Sequence, residues 1–66
     1  MRTVKIAVKD LRIGDRLSLD SGHYIVPVVR VTPRETDFEI VYRSSQTHQL
    51  CAFHAKNNTE LRIEIF

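Results

Sequence analysis

Apolar and polar residues alternate one by one along much of this chain, in short runs separated by residues that favour turns. In the first run, residues 3–9, the apolar positions are Val4, Ile6 and Val8. A period of two places successive side chains on opposite faces of a β-strand, whereas an amphipathic helix needs apolar residues three and four positions apart. The sequence therefore predicts an all-β protein in which most strands have one apolar face.

The same alternation predicts the remaining strands, and turn-forming residues separate them. Gly14-Asp15 and Asp20-Ser21-Gly22 provide the positive φ and the local side-chain hydrogen bonds that tight turns need. Further turns are predicted at residues 32–36, 44–46 and 57–58. Between these turns, strands are predicted at residues 16–19, 24–31, 37–43 and 59–65.

The run at residues 24–31 is apolar on both faces and rich in β-branched side chains, which predicts the most buried strand of the fold. Pro27 interrupts this run. Because proline has no N–H to donate to a ladder, it occurs in sheets mainly at edges and bulges. We therefore expect Pro27 to mark the place where this long strand bends from one sheet to another.

Residues 47–56 admit two interpretations. As a helix, Thr47 would be the N-cap, and Leu50 and Phe53 would share one face. As a strand, Cys51 and Phe53 would lie on the face opposite to Leu50. The strand is favoured, because a tight hairpin after the preceding strand continues the antiparallel order.

The chain has 66 residues, which is enough for one domain with one hydrophobic core. A core of this size stabilises a fold by only about 3–5 kcal/mol, so self-association is also considered. Open sheet edges invite aggregation, and a short all-β chain avoids this by curling until its first and last strands approach each other. The predicted architecture is a single small antiparallel barrel of five or six strands.

The first half of the chain has a distinctive turn pattern. Residues 8–17 read VKDLRIGDRL, and Gly22-His23-Tyr24 and Val26 follow. This pattern resembles the diverging turn before the second strand of SH3-like small barrels, including short proteins of bacteriophages and their actinobacterial hosts, most of unknown function. The resemblance implies an SH3-like barrel of a kind that binds RNA, DNA or peptides. Recognition of PxxP peptides is not implied, because the chain has no Trp and few tyrosines.

Residues with catalytic or metal-binding chemistry are few and poorly spaced. The main metal candidates are His48, Cys51 and His54, but on a strand Cys51 would lie on the opposite face from both histidines. Gly14 and Gly22 are the only glycines, so no phosphate-cradling loop can be built. We therefore predict no enzyme activity, no bound metal and no cofactor.

The single cysteine, Cys51, excludes an internal disulfide and favours a reducing compartment, so a cytoplasmic location is expected. Basic residues interrupt the apolar residues near the start of the chain, and no apolar run reaches the length of a membrane span. Neither a signal peptide nor a membrane segment is therefore expected.

The basic residues suggest a nucleic-acid ligand. The formal net charge is only +2, but seven of the ten basic residues are arginines, whose planar guanidinium suits phosphate. The candidate nucleic-acid-binding residues are Lys5, Lys9, Arg12, Arg16, Arg30, Arg34 and Arg43. Acidic residues interleave with them, so a solvated mixed-charge surface is the alternative. Electrostatic binding of nucleic acid by a phage or bacterial accessory protein is the working hypothesis.

Protein binding is the equal alternative. An edge strand of a short sheet accepts a strand from a partner, and a small core gains stability by burying more surface. Val29, Val41 and Phe66 are the apolar positions expected to be left uncovered. The predicted partner is therefore a nucleic acid or a protein, including a second copy of this chain as a homo-oligomer.

Overall fold

The computed structural model describes residues 2–65, with Ser21 described for its backbone alone. The six strands are β1 (Arg2–Ala7), β2 (Arg16–Leu19), β3 (Tyr24–Pro33), β4 (Asp37–Arg43), β5 (Leu50–Lys56) and β6 (Glu60–Ile65). Short 3₁₀ turns occupy Val8–Asp10 and Asp20–Gly22, and no helix of the described chain is long and apolar enough to cross a membrane. The prediction of an all-β fold is confirmed.

All six strands form one antiparallel sheet in the order β1-β6-β2-β3-β4-β5. The first and last strands pair as expected, with Val4 opposite Ile63. The sheet is nevertheless open, because within residues 2–65 β1 and β5 each pair on one side only. Closure into a barrel would require β1 to pair with β5, so the predicted SH3-like barrel is not confirmed.

β3 joins the two halves of the sheet. Its first half pairs with β2, where Arg16 faces Pro27, and its ladder with β4 begins at Val28. The register then shifts between Val28 and Arg30, which leaves Val29 as the extra residue of a bulge. The strand thus changes pairing partner near Pro27 as expected, but both halves belong to one sheet and not to two, and the bulge lies two residues beyond Pro27.

The turn between β1 and β2 is held against β3 at the same place. Gly14 has a φ of 94°, a conformation that glycine adopts without steric cost. Its N–H donates to the Val28 carbonyl at 2.9 Å, and the Val28 N–H donates to the Asp15 carbonyl at 2.9 Å. The Asp15 carboxylate accepts a hydrogen bond from the Arg12 N–H at 2.9 Å. The predicted Gly-Asp turn is confirmed.

One face of the sheet, here called the core face, carries the hydrophobic core. Its buried residues are Val8, Leu11, Leu17, Val26, Val28, Ile40 and Ala55. Half-buried residues packed against them are Ile6, Leu19, Val31, Phe38, Tyr42, Phe53, Leu61 and Ile63. Leu17 lies opposite both Val26 and Ile63, so β2 contributes to the core from between two neighbours. The opposite side of the sheet is called the outer face.

Two local predictions differ from the structure. β3 is not buried on both faces: Val26 and Val28 are buried, whereas Pro27 and Val29 on the other side are exposed. No second layer of the described chain covers the outer face there. The first strand ends at Ala7, because the chain turns into a 3₁₀ segment while the Val8 side chain stays in the core.

The ambiguous segment 47–56 is resolved in favour of the strand. β5 covers Leu50–Lys56 and pairs with β4 through all seven of its residues. Phe53 and Ala55 face the core, as period-two alternation requires. The three residues before β5 belong to the hairpin loop that joins it to β4.

Candidate interaction surface

β5 is one end of the sheet, and its outer edge is unpaired within the described chain. The Ser44 N–H donates to the Gln49 carbonyl at 2.9 Å and the Asn57 N–H to the Thr36 carbonyl at 3.3 Å, which defines both ends of the β4–β5 ladder. Because hydrogen-bonded and non-hydrogen-bonded pairs alternate in antiparallel ladders, the backbone groups of every second β5 residue point away from β4. These free-edge residues are Leu50, Ala52, His54 and Lys56.

β1 is the other end of the sheet, and its ladder is defined in the same way. The Val8 N–H donates to the Thr59 carbonyl at 3.0 Å, so Thr3, Lys5 and Ala7 direct their backbone groups outward. Lys5 stands in the middle of this edge. A lysine at such a position is one of the devices that disfavour pairing with another chain, so the β1 edge is protected.

The β5 edge is protected in its second half only. His54 and Lys56 lie there, whereas the first half, Leu50 to Phe53, has no charged residue and no proline. Its register with β4 has no shift, so no bulge twists this edge away from a partner. Leu50 is 55% exposed, more than any other large hydrophobic side chain in the described strands. The first half of β5 is therefore the most accessible place to add a strand.

The hairpin loop that leads into β5 is ordered by hydrogen bonds to its own side chains. The Ser44 hydroxyl accepts from the N–H groups of Gln46 and Thr47 at 3.2 and 3.3 Å. His48 has a φ of 62°, a left-handed conformation that histidine adopts more readily than most residues. The Arg43 guanidinium donates to the His48 carbonyl at 2.8 Å. These bonds hold the loop in one shape beside the edge.

A cavity of about 200 Å³ lies between this loop and the β2–β3 hairpin. Its lining residues are Leu19, Tyr24, Val26, Tyr42, Ser44, Ser45 and Gln46. The Gln46 side-chain amide donates to the Tyr24 hydroxyl at 3.0 Å, which ties the loop to the hairpin. None of the lining residues is an acid, a base or a histidine. We call this cavity the tyrosine pocket.

Tyr42 connects the tyrosine pocket to the core. Its ring packs edge-on against Phe53 of β5, with ring centroids 6.0 Å apart and planes at 60°. Burial raises the pKa of Tyr42 above its ordinary value of 10.0, and the neighbouring thiol of Cys51 adds to the shift. The Tyr42 hydroxyl is therefore neutral at physiological pH, and the pocket wall that it forms is uncharged.

The seven predicted nucleic-acid-binding residues are spread over the molecule. By register, Lys5 and Arg16 lie on the outer face of the β1–β6–β2 half of the sheet. Arg30 and Arg43 lie on the outer face of the β3–β4–β5 half. Lys9 and Arg12 lie between β1 and β2, and Arg34 follows β3. The structure therefore does not gather them into one basic patch.

Three of these arginines are paired with carboxylates. The nitrogen–oxygen distances are 2.9 Å for Arg16–Glu64, 3.9 Å for Arg30–Glu39 and 3.2 Å for Arg34–Asp37. Opposite charges at these distances offset part of the positive potential that a phosphate backbone would meet. The sequence could not show this pairing, because most of the partners come together only through strand register.

Glu64 is the one buried charged residue among residues 2–65. Alternation along β6 places it on the outer face, opposite to Ile63, but its side chain is only 2% exposed. β6 is flanked by β1 and β2, with Thr3 and Arg16 opposite Glu64 on its two sides. Local alternation could not indicate this burial, because the sequence does not reveal that β6 is an interior strand.

The metal candidates His48, Cys51 and His54 lie in three different environments. His48 is in the hairpin loop, and Cys51 and His54 are three positions apart on β5, which places their side chains on opposite faces. The His54 imidazole instead lies 3.6 Å from the Glu39 carboxylate and 3.5 Å from the Arg34 guanidinium. In the described part of the chain, no group of three or more His, Cys, Asp and Glu side chains is arranged to hold a metal ion.

The three apolar positions expected to be uncovered have different outcomes. Val29 is 36% exposed, as expected. Val41 is buried, so that prediction is wrong: Arg30 and Ala52 lie opposite Val41 on its two sides. Phe66 lies outside the described residues.

The alternation pattern missed Leu50 and the tyrosine pocket, because their significance depends on strand order and on contacts between two successive hairpins.

No family model matches this chain, and no curated protein or solved structure shows significant similarity to it. The chain's own geometry is therefore the basis for a functional proposal.

Proposed function

We propose that this chain is a non-enzymatic protein-interaction module that pairs the free edge of β5 with an extended segment of a partner protein. The observation that carries this proposal is the difference between the two sheet edges. Lys5 protects β1, whereas the first half of β5 is uncharged and exposes Leu50. In this mode of recognition, main-chain hydrogen bonds provide affinity and alternate side chains provide specificity.

The β5 edge also indicates the chemistry of the partner segment. A partner residue opposite Leu50 places its side chain beside an exposed apolar group, and one opposite Lys56 places it beside an ammonium group. A partner residue opposite Phe53 faces the half-buried rim of the core. We therefore expect a segment with alternating apolar residues and an acidic residue opposite Lys56.

Proline substitution on each edge tests the proposal with matched variants. Ala52 and Ala7 are the same residue type, and their N–H groups point outward from opposite ends of the sheet. Proline there removes a donor that the native ladder does not use. Peptides of about ten residues, selected from a random display library against the wild-type chain, are titrated by calorimetry. Ala52→Pro is expected to weaken binding by at least about tenfold, and Ala7→Pro by less than about twofold.

Thermal unfolding of both variants verifies that they fold. Equal loss of affinity in the two variants would contradict a specific role for β5, and failure to select any peptide would contradict the proposal itself. Light scattering on the same samples identifies a homo-oligomer. If a second copy of the chain occupies the edge, wild-type protein is a dimer at high concentration and Ala52→Pro is a monomer.

Electrostatic binding of nucleic acid is the second candidate. The observation that favours it is the direct opposition of Lys5 and Arg62 on the outer face of β1 and β6. Like charges at directly opposite positions destabilise a sheet unless an anion compensates them. A phosphate backbone is such an anion, and the nearby Thr3 hydroxyl already accepts a hydrogen bond from Arg62 at 3.3 Å.

Fluorescence anisotropy with labelled single- and double-stranded oligonucleotides tests this candidate at low and physiological salt. Binding is expected to weaken as salt rises, and Lys5→Ala is expected to reduce the log–log slope by about one. Lys56→Ala, on the far edge of the sheet, is the matched control and should leave the slope unchanged. Absence of binding at low salt would contradict this candidate.

The same proposal includes a fold relationship, a cellular location and a kind of protein. The Gly14-Asp15 turn and the change of pairing partner within β3 support a relationship to SH3-like barrels, here in an opened form. The lone thiol of Cys51 supports a reducing, cytoplasmic location. A small accessory protein of a phage or a bacterium is the kind of protein that these features suit.

A further inference from the structure

We propose that the tyrosine pocket binds an uncharged aromatic side chain of the partner segment that pairs with β5. This inference rests on the proposed function, because the same hairpin provides both surfaces. Tyr42 lies opposite Cys51 of β5 in the ladder, and the loop residues that line the pocket lead directly into the free edge. A segment that runs along β5 toward Leu50 therefore ends beside residues 47–49, the second half of the loop whose first half lines this pocket.

The size of the pocket limits what it accepts. Sites for cofactors and drug-sized ligands generally occupy about 300–1,000 Å³. The tyrosine pocket, at about 200 Å³, is smaller than this range. It accommodates one ring-sized group and not a dinucleotide or a comparable cofactor.

The lining of the pocket determines the chemistry of that group. Leu19 and Val26 provide apolar surface, and Tyr24 and Tyr42 provide aromatic rings. A charged group would lose hydration there without meeting a counter-charge, which is costly. An aromatic ring gains stacked or edge-to-face contacts with tyrosines in addition to the area that it buries. A nucleobase is disfavoured, because no basic residue lines the pocket to hold the attached phosphate.

Polar groups in the lining add partners for such a ring. The hydroxyls of Ser44 and Ser45 and the amide of Gln46 belong to the loop side of the pocket. Tyr24 and Gln46 are already hydrogen-bonded to each other, so part of the pocket is organised before a ligand arrives. A lining that combines apolar and aromatic side chains with hydroxyl and amide groups matches a phenol better than an aliphatic side chain.

Two small neutral probes test the pocket without involving the edge. N-acetyl-tyrosinamide and N-acetyl-leucinamide are titrated into the isotope-labelled full chain, and amide chemical shifts are followed by NMR. N-acetyl-tyrosinamide is expected to bind with a dissociation constant on the order of 1 mM. Saturable shifts are expected at Tyr24 and at the loop residues Ser44 to Gln46. N-acetyl-leucinamide is expected to bind at least about fivefold more weakly.

Substitutions of lining residues test whether N-acetyl-tyrosinamide binds in the tyrosine pocket. Tyr24→Ala removes one aromatic wall. Gln46→Ala, which removes the amide that bonds Tyr24, serves if the first variant does not fold. Either is expected to weaken N-acetyl-tyrosinamide binding at least about fivefold. Ala52→Pro should leave it unchanged, because the probe does not use the edge. Equal binding of the two probes, or shifts that persist in the pocket variants, would overturn the inference.

The peptides selected against the β5 edge show whether the pocket assignment and the edge function fail together or separately. Replacing an aromatic residue of a selected peptide by leucine is expected to weaken binding to wild-type chain about tenfold but to change binding to the pocket variant little. If peptides bind through β5 without this coupling, the pocket assignment is wrong and the edge function stands. If the aromatic probe binds but no peptide does, the edge function is wrong.

Discussion

Ile40→Ala is expected to remove most of the stability of this fold. Ile40 is fully buried at the centre of β4, with Val31 of β3 on one side and Phe53 of β5 on the other. Truncating a buried isoleucine to alanine typically costs about 2–5 kcal/mol. The variant loses the free energy gained by removing the apolar atoms from water, and the cavity left behind adds a further cost. A core of this size stabilises the folded state by only about 3–5 kcal/mol, so the variant is expected to be largely unfolded at 37 °C.

Ile13→Ala is the matched control, because it makes the same chemical change at a side chain that is 71% exposed. Its free energy of unfolding is expected to stay within about 0.5 kcal/mol of wild type. Urea denaturation and thermal melting, both followed by circular dichroism, measure both variants. For a domain of this size, the Ile40 variant should melt at least about 10 °C below wild type. Similar losses at the two positions would show that the core is not centred on β4.

Arg16→Ala is expected to destabilise the protein more than Glu64→Gln, although each substitution breaks the same ion pair. The Glu64 side chain is 2% exposed and the Arg16 side chain is 49% exposed, with 2.9 Å between the paired atoms. Removing Arg16 leaves a buried carboxylate without its counter-charge, at a cost of about 2–4 kcal/mol. Removing the charge of Glu64 leaves a guanidinium that water reaches, at a cost of about 1 kcal/mol.

Urea denaturation near pH 7 compares the two single variants and the double variant. The double variant Arg16→Ala/Glu64→Gln is expected to recover part of the stability lost in Arg16→Ala, because the buried charge is then absent. Equal losses in the two single variants would mean that water reaches Glu64.

The ion pair also affects the choice of residue for the nucleic-acid experiment. An Arg16 variant that loses binding has lost stability as well, so Lys5 is the better residue to substitute.

The proposed interaction surface follows from the strength of protection on each edge. Proteins usually protect sheet edges with charge, proline or bulges, and β1 follows that rule through Lys5. β5 follows it at His54 and Lys56 but not at Leu50 or Ala52. Because only the first half of β5 is unprotected, a partner strand is expected to pair there and not along the whole edge. This limits aggregation and favours one specific partner.

Much of the local structure was predictable from the sequence because it depends on neighbouring residues. The alternation of Val4 and Ile6, and of Leu61 and Ile63, defines strand faces without reference to any distant contact. The Gly14 turn is equally local, since it depends on the φ that glycine tolerates. In the segment that contains β5, local pattern leaves helix and strand open, and the strand is favoured because a tight hairpin continues the antiparallel order. The structure confirms the strand.

Strand order, edges and burial on the outer face were decided by tertiary structure alone. Whether β5 is an edge depends on which strands it meets, and nothing within Leu50–Lys56 encodes the absence of a neighbour. Glu64 has the same alternation as an exposed glutamate, and only its position between β1 and β2 buries it. The tyrosine pocket likewise depends on contact between two successive hairpins, as between Tyr24 and Gln46, which are 22 positions apart. Local pattern determined the strands and their apolar faces, whereas non-local pairing determined which backbone groups and side chains remain available to a partner.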